Sequence, residues 1–162
     1  MDALYMKLYL ARHGEAERQE VDPRLPLSKR GKKDIEMMAQ FLIPLEINVS
    51  HIFHSGILRA QETAEILAQS IHSEHPLKIW SALEPLGPIA PVASDLNGSN
   101  TDILLVGHLP FMGKLASQLI SGDENEDITV FNTGTLICLE RVGSTRWILR
   151  WALCPELLNN RE

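Results

Sequence analysis

The sequence predicts an α/β fold: a three-layer α/β/α sandwich with a mainly parallel central sheet and an antiparallel terminal hairpin. Three observations lead there. Short apolar runs of strand character alternate with segments whose apolar residues recur every three or four positions. The run from Asp102 to Gly107 (DILLVG) is apolar almost throughout, as expected of a strand covered on both faces. Two late strand-like stretches flank Gly143-Ser144, a turn signal. No repeat, low-complexity segment or linker interrupts the chain, so residues 1–162 are expected to form one domain.

The elements follow in order. Lys7 to Arg12 (KLYLAR) is a short apolar run ending at His13-Gly14, which fits a buried strand entering a loop. Residues 15–27 are polar, contain Pro23 and Pro26, and read as loop. Ser28 caps a helix whose apolar face is Ile35, Met38, Ala39 and Leu42 and which Pro44 stops; Gly31 in its first turn weakens it slightly. Asn48 to His54 is the second strand. Ser55 is expected to cap a second helix with Ile57, Ala60, Ala64, Leu67 and Ile71 at helical spacing. A short strand near Leu77 to Trp80 precedes the proline-rich stretch from Glu84 to Asn100, read as loop with at most one short helix. After the DILLVG strand, Pro110 suits the first position of a helix bearing Phe111, Leu115, Leu119 and Ile120, with Gly122 as its stop. Gly134 to Glu140 and Arg146 to Trp151 make the hairpin.

Composition excludes several classes. The 162 residues are 44% hydrophobic and 22% charged, ordinary for a globular chain. Fifteen Lys+Arg stand against 21 Asp+Glu, a net charge of −6, which disfavours a general nucleic-acid or anionic-membrane binder. Cys138 and Cys154 are too few for a disulfide framework and lack metal-ligand spacing. No apolar run approaches the roughly 20 residues of a membrane helix, and the start has no basic segment or cleavage site of a secretory leader. A cytoplasmic location is expected.

Three strand-to-helix junctions each carry a basic residue: Arg12-His13-Gly14-Glu15, Ser55 to Arg59, and Gly107-His108-Leu109-Pro110. Ligands of α/β sheets bind at the carboxyl ends of the strands, near the point where strand order reverses. Two arginines and two histidines meeting there would form a cationic crevice in an acidic protein, with an anion as the natural occupant. Each signal is weak alone. Their joint placement carries the reading.

LYLARHGEAE, HSGILRAQETAEIL and ILLVGHLPFMGKLASQLI, in that order and spacing, resemble the histidine phosphatase superfamily. LPLSKRGKKD and the VGHLPFMGKL…FNTGTL stretch resemble its phosphohistidine phosphatase branch, the SixA-like proteins, over about Lys7 to Leu139. The resemblance implies a phosphoglycerate mutase-like fold. It also implies that His13 is a nucleophile that becomes phosphorylated, that Arg12 and Arg59 bind phosphate, and that His108 donates to the phosphoryl oxygens. The family usually has proline after the serine of the second motif. Here Gly56 stands there, which is expected to alter the turn more than the chemistry.

Physical chemistry agrees with these roles. A neutral imidazole attacking phosphorus splits hydrolysis into two steps, with its second nitrogen bonded to a backbone carbonyl that sets the tautomer. Charge spreads over three equatorial oxygens in the transition state, which Arg12, Arg59 and His108 would stabilise without a metal or other cofactor. Many superfamily members protonate an alkoxide leaving group with a carboxylic acid. Glu84 lies in the right interval, although an exposed loop glutamate is the simpler reading. The short interval 73–101 leaves little chain for a lid over a small substrate.

The expected function is therefore metal-independent hydrolysis of phosphohistidine on a phosphotransfer or phosphocarrier protein, by a chain that is expected to be monomeric. The alternatives are a broad phosphomonoesterase or small-metabolite phosphatase, and a phosphate- or protein-binding module without turnover. Glu15 and Ser28 read as local capping groups. His51-x-x-His54 and His72-x-x-His75 read as surface or structural histidines rather than a metal site: strand residues three apart face opposite ways, and the second pair, on a helix face, lacks a third ligand. Trp80, Trp147 and Trp151 are core or interface residues.

Overall fold

Strands and helices alternate along the chain in a computed structural model that describes residues 5–159. They are β1 (Tyr5–Arg12), α1 (Lys29–Leu42), β2 (Asn48–Val49), β3 (His51–His54), α2 (Leu58–Leu67) and β4 (His72–Ser73). Then come β5 (Lys78–Ile79), α3 (Ile89–Asn97), β6 (Ile103–Gly107), α4 (Phe111–Ser121), β7 (Leu136–Val142) and β8 (Arg146–Leu153). The expectation about a leader falls partly on residues 1–4, outside the described residues.

Six strands form one sheet in the order β5-β3-β6-β1-β7-β8. The first four are parallel, and β7 and β8 close the sheet antiparallel, as expected. Side chains of β1 alternate: Met6, Leu8 and Leu10 face the layer of α3 and α4, while Tyr9 and Ala11 face that of α1 and α2. In β6, Ile103 and Leu105 join the first layer and Leu104 and Val106 the second. Burial on both faces is why these strands read as continuous apolar runs.

The helices form for the reasons their sequences suggest. Ser28 caps α1, its Oγ accepting from the Gly31 N–H at 2.9 Å, and Ile35, Met38, Ala39 and Leu42 are buried. Gly31 has a packing reason: a methyl group there would run into the Glu15 carbonyl. The chain leaves α1 at Leu42, and Pro44 lies in a 3₁₀ turn beyond it. The proline-rich stretch holds α3, whose Pro88 and Pro91 occupy the cap and first turn, where no intrahelical N–H is needed. Its Ile89, Val92, Ala93 and Leu96 are buried, so one face of α3 in the interval 73–101 joins the core. Pro110 is the cap residue of α4 rather than its first residue, and Gly122 ends that helix with φ 80°.

Three further sequence expectations change. Asn48 to His54 is two strands: β3 joins the main sheet, while β2 pairs with β4 in a separate two-stranded sheet. Between them, Ser50 turns aside to bond Asp102 and Thr101. Next, Ser55 does not cap α2, which starts three residues later; Ile57 precedes that helix and Ile71 follows it. Finally, His72 lies in β4 with His75 beyond it, so that pair shares no helix face.

Trp147 is core and Trp80 and Trp151 are half-buried, while Cys138 and Cys154 are both free thiols. Arg141 is the largest fully buried side chain, 1% exposed, and its guanidinium bonds the carbonyls of Leu96 and Asn97 at the end of α3, and Asn100 Oδ1. It also lies 5.8 Å from the Trp147 ring. The cation thus complements the carbonyl end of α3. Arg141→Met strands those acceptors and is expected to cost about 3 kcal/mol of unfolding free energy. The denaturant midpoint checks this; a change below about 0.5 kcal/mol would show that solvent replaces the guanidinium.

Candidate active site

The sheet order makes three of the predicted positions neighbours. Arg12, the last residue of β1, pairs with Gly107, the last of β6, and His54, the last of β3, pairs with Val106. His13, Ser55 and His108 therefore leave three adjacent strands at their carboxyl ends. The His13 N–H donates to the Gly107 carbonyl at 2.9 Å, and the His13 and His108 ring centroids lie 5.0 Å apart. Arg59, in the first turn of α2, points its Nε–H at His13 Nε2 over a long 3.4 Å.

His13 Nδ1 lies 2.7 Å from the Gly14 carbonyl oxygen. A carbonyl only accepts, so Nδ1 carries the proton and Nε2 keeps its lone pair. Burial holds the His13 imidazole down at about 4, against the upward pull of the Gly14 carbonyl, and the charges of Arg59 and Arg12 push the same way as burial. His108 lies at about 3, through burial and then repulsion from His13, Arg59 and Arg12. Both rings are neutral at pH 7.

Burial also lowers Arg12 and Arg59, and Arg59 repels Arg12, but guanidinium groups remain charged. The ion pairs among the described residues join Arg24 to Asp22, Arg30 to Asp34 and Arg150 to Glu140. Among the described residues, no carboxylate forms an ion pair with Arg12 or Arg59. Arg12 donates one Nη1–H to the Phe131 carbonyl at 3.0 Å, while its buried Nε finds no acceptor. His108 Nδ1 and Thr135 Oγ1 are likewise buried without partners among the described residues, and the Thr135 carbonyl accepts the Arg12 N–H. Unsatisfied donors beside two unpaired cations suit an anion with several oxygens.

Two positioning groups escaped the sequence reading. Thr63, fully buried in α2, accepts the Gly14 N–H at 3.0 Å and donates to the Arg59 carbonyl at 2.8 Å, tying α2 to the loop after β1. Its signal was a polar residue at a buried helical position between Ala60 and Ala64. Ser55, expected as a cap, instead places Oγ 2.7 Å from His108 Nε2. Gly56 follows with φ +90°, beyond proline's reach, and its N–H donates to His54 Nδ1. The departure from the family pattern therefore has its own turn geometry.

Glu84 is exposed at the end of a 3₁₀ turn, and its carboxylate makes no hydrogen bond or ion pair among the described residues. Glu15 accepts the Ser28 hydroxyl at 3.0 Å. His51 stacks on His75 at 4.2 Å and on Phe53 at 5.1 Å, and both histidines bond Ser50. No group of three or more His, Cys, Asp or Glu among the described residues is arranged to hold a metal ion.

Comparison with known proteins places this geometry in a family. The sequence model of the histidine phosphatase superfamily (branch 1) matches residues 8–85. The phosphohistidine phosphatase SixA homolog of Haemophilus influenzae is 30% identical over 126 residues, 70% of this chain and 77% of that protein. Phosphohistidine phosphatase SixA of Escherichia coli is 24% identical over 155 residues, covering 93% and 94% of the two chains. A solved structure of the protein histidine phosphatase SixA complexed with tungstate superposes with a TM-score of 0.83 at 23% identity, over 94% of this chain and 99% of that one. The chain belongs to the histidine phosphatase superfamily, on its SixA-like branch.

Proposed function

We propose that this phosphatase hydrolyses phosphohistidine on a phosphotransfer or phosphocarrier protein, through a phosphoryl group carried on His13. The observation that carries the reading is the His13 ring itself. Its Nδ1–H is committed to Gly14, and its Nε2 lone pair lies among Arg59, Arg12 and His108.

In the first step the Nε2 lone pair forms a bond to phosphorus. The substrate P–N bond breaks, and its electron pair stays on the leaving imidazole nitrogen, which takes a proton from solvent. In the second step water attacks phosphorus, the P–Nε2 bond returns its electrons to His13, and the water's proton passes to solvent with release of phosphate. Arg12, Arg59 and the His108 N–H stabilise the three equatorial oxygens in both steps. This is the role a divalent ion fills in other phosphatases, and no cofactor is invoked.

Three points favour a protein substrate. The two named relatives are phosphohistidine phosphatases. The interval that would have to build a lid is short, and its one helix, α3, packs its apolar face on the core. An imidazole leaving group depends less on a protein acid than an alkoxide does, and Glu84 stands exposed, its carboxylate unpartnered among the described residues. A broad phosphomonoesterase would enlist Glu84 as its proton donor. The setting we infer is a cytoplasmic, monomeric single-domain enzyme; no helix among the described residues is long and apolar enough to cross a membrane.

The test is phosphate release, in EDTA, from a phosphohistidine-bearing carrier protein and from p-nitrophenyl phosphate side by side. The proposal expects fast release from the first and little from the second. The reverse preference would establish the phosphomonoesterase alternative, and no release from either would leave an anion-binding module.

A further inference from the structure

His108 presents a proton-placement problem that the fold answers. The residue is 1% exposed. Its Nε2 lies 2.7 Å from Ser55 Oγ, while Nδ1 is buried with no partner among the described residues. Ser55 Oγ also accepts the Ile57 N–H at 3.2 Å. A hydroxyl has one proton to donate and lone pairs to accept with. If the hydroxyl donates to Nε2, Ser55 is satisfied on both sides and only the Nδ1–H of His108 is left over. If Nε2–H donates to the hydroxyl instead, the Ser55 proton has no acceptor among the described residues and Nδ1 becomes a bare buried lone pair. The second arrangement leaves two buried polar groups unsatisfied where the first leaves one.

We propose that Ser55 is a positioning residue: its hydroxyl donates to Nε2 of His108 and keeps the ring proton on Nδ1, so that a neutral histidine presents an N–H to the phosphoryl oxygens. The tautomer choice is decisive because a neutral imidazole carries one donor and one acceptor. With the proton on Nε2, the same ring would turn a lone pair toward a negatively charged group. Backbone geometry supports the arrangement. Ser55 follows β3 and His108 follows β6 on adjacent parallel strands, and the His108 carbonyl is held by the Met112 N–H at 2.8 Å. Burial and the neighbouring cations keep the ring neutral, so its donor capacity depends on the tautomer. The donor's target rests on the phosphatase reading above; the tautomer does not.

The experiment is long-range 1H–15N correlation spectroscopy of the histidine rings in the full chain at pH 7, on wild type, Ser55→Ala and Ser55→Thr. Expected results are an Nδ1–H tautomer for His108 in wild type, a shift toward Nε2–H in Ser55→Ala, and return to Nδ1–H in Ser55→Thr. Adding inorganic phosphate is expected to move the His108 Nδ1 signal of wild type. In steady-state assays, kcat of Ser55→Ala falls about tenfold to a hundredfold, with recovery in Ser55→Thr. A wild-type His108 on the Nε2–H tautomer would overturn the proposal, and that spectrum needs no folded variant. So would a Ser55→Ala ring still on Nδ1–H, or a wild-type Nδ1 signal indifferent to phosphate. Failure of the phosphohistidine reading would show in the carrier-protein assay and leave the substrate-free spectra unchanged, which separates the two.

Discussion

His13→Ala is expected to lose turnover by about 10⁴-fold or more, on phosphohistidine and on any other phosphorylated substrate. The loss follows from removing the atom that, in the proposed mechanism, forms the bond to phosphorus. Arg12, Arg59 and His108 remain in the variant, so its affinity for inorganic phosphate should persist. The fold should persist as well. The anchors of this segment are backbone groups: the His13 N–H on the Gly107 carbonyl, the Gly134 N–H on the His13 carbonyl and the Gly14 N–H on Thr63. Phosphate release and circular dichroism together check this, and a folded variant retaining a tenth of wild-type activity would remove His13 from the nucleophile's place.

Arg59→Ala is expected to lower kcat/KM by about 10³-fold, roughly 4 kcal/mol of transition-state stabilisation. The magnitude is large because Arg59 has no carboxylate partner among the described residues and its Nε–H points at His13 Nε2, the proposed nucleophile. The loss should divide between weaker phosphate binding and slower chemistry, since the same guanidinium meets oxygens in both states. Arg59→Lys keeps the charge and loses the planar fork, so it should recover only part of the rate. Steady-state kinetics and phosphate titration measure the two shares; a loss below tenfold would place Arg59 outside the reacting site.

Much of this was legible in the sequence, for physical reasons that differ by residue. The 102–107 run reads as a central strand because both of its faces are buried, and α1 reads as a helix because Ile35, Met38, Ala39 and Leu42 share one side. Gly122 marks a helix end because few residues other than glycine adopt its backbone angle. Arg12, His13 and His108 stand where apolar runs stop and Arg59 in the first turn of the helix after β3, and the carboxyl ends of neighbouring parallel strands bring these four together.

What escaped depends on contacts distant in sequence. Nothing local says that β2 leaves the main sheet to pair with His72–Ser73, because that partner lies more than twenty residues away. Ser55 has the composition of a helix cap, and its other use depends on a histidine 53 positions later. Thr63 looks like an ordinary helical threonine until the loop after β1 folds against it. Gly31 looks like a weak point in α1 for the same reason, since the Glu15 carbonyl that requires it belongs to that loop.

The central claim is that phosphate leaves through His13, and trapping the intermediate tests it most directly. The phosphohistidine-bearing carrier is mixed with the enzyme and quenched within milliseconds in alkali, which preserves phosphohistidine. The enzyme's mass and the modified residue are then read by mass spectrometry. The account predicts one phosphoryl group on His13, labile to acid and absent from His13→Ala. Rapid turnover with no phosphoryl group on the enzyme, or with one on another residue, would contradict it.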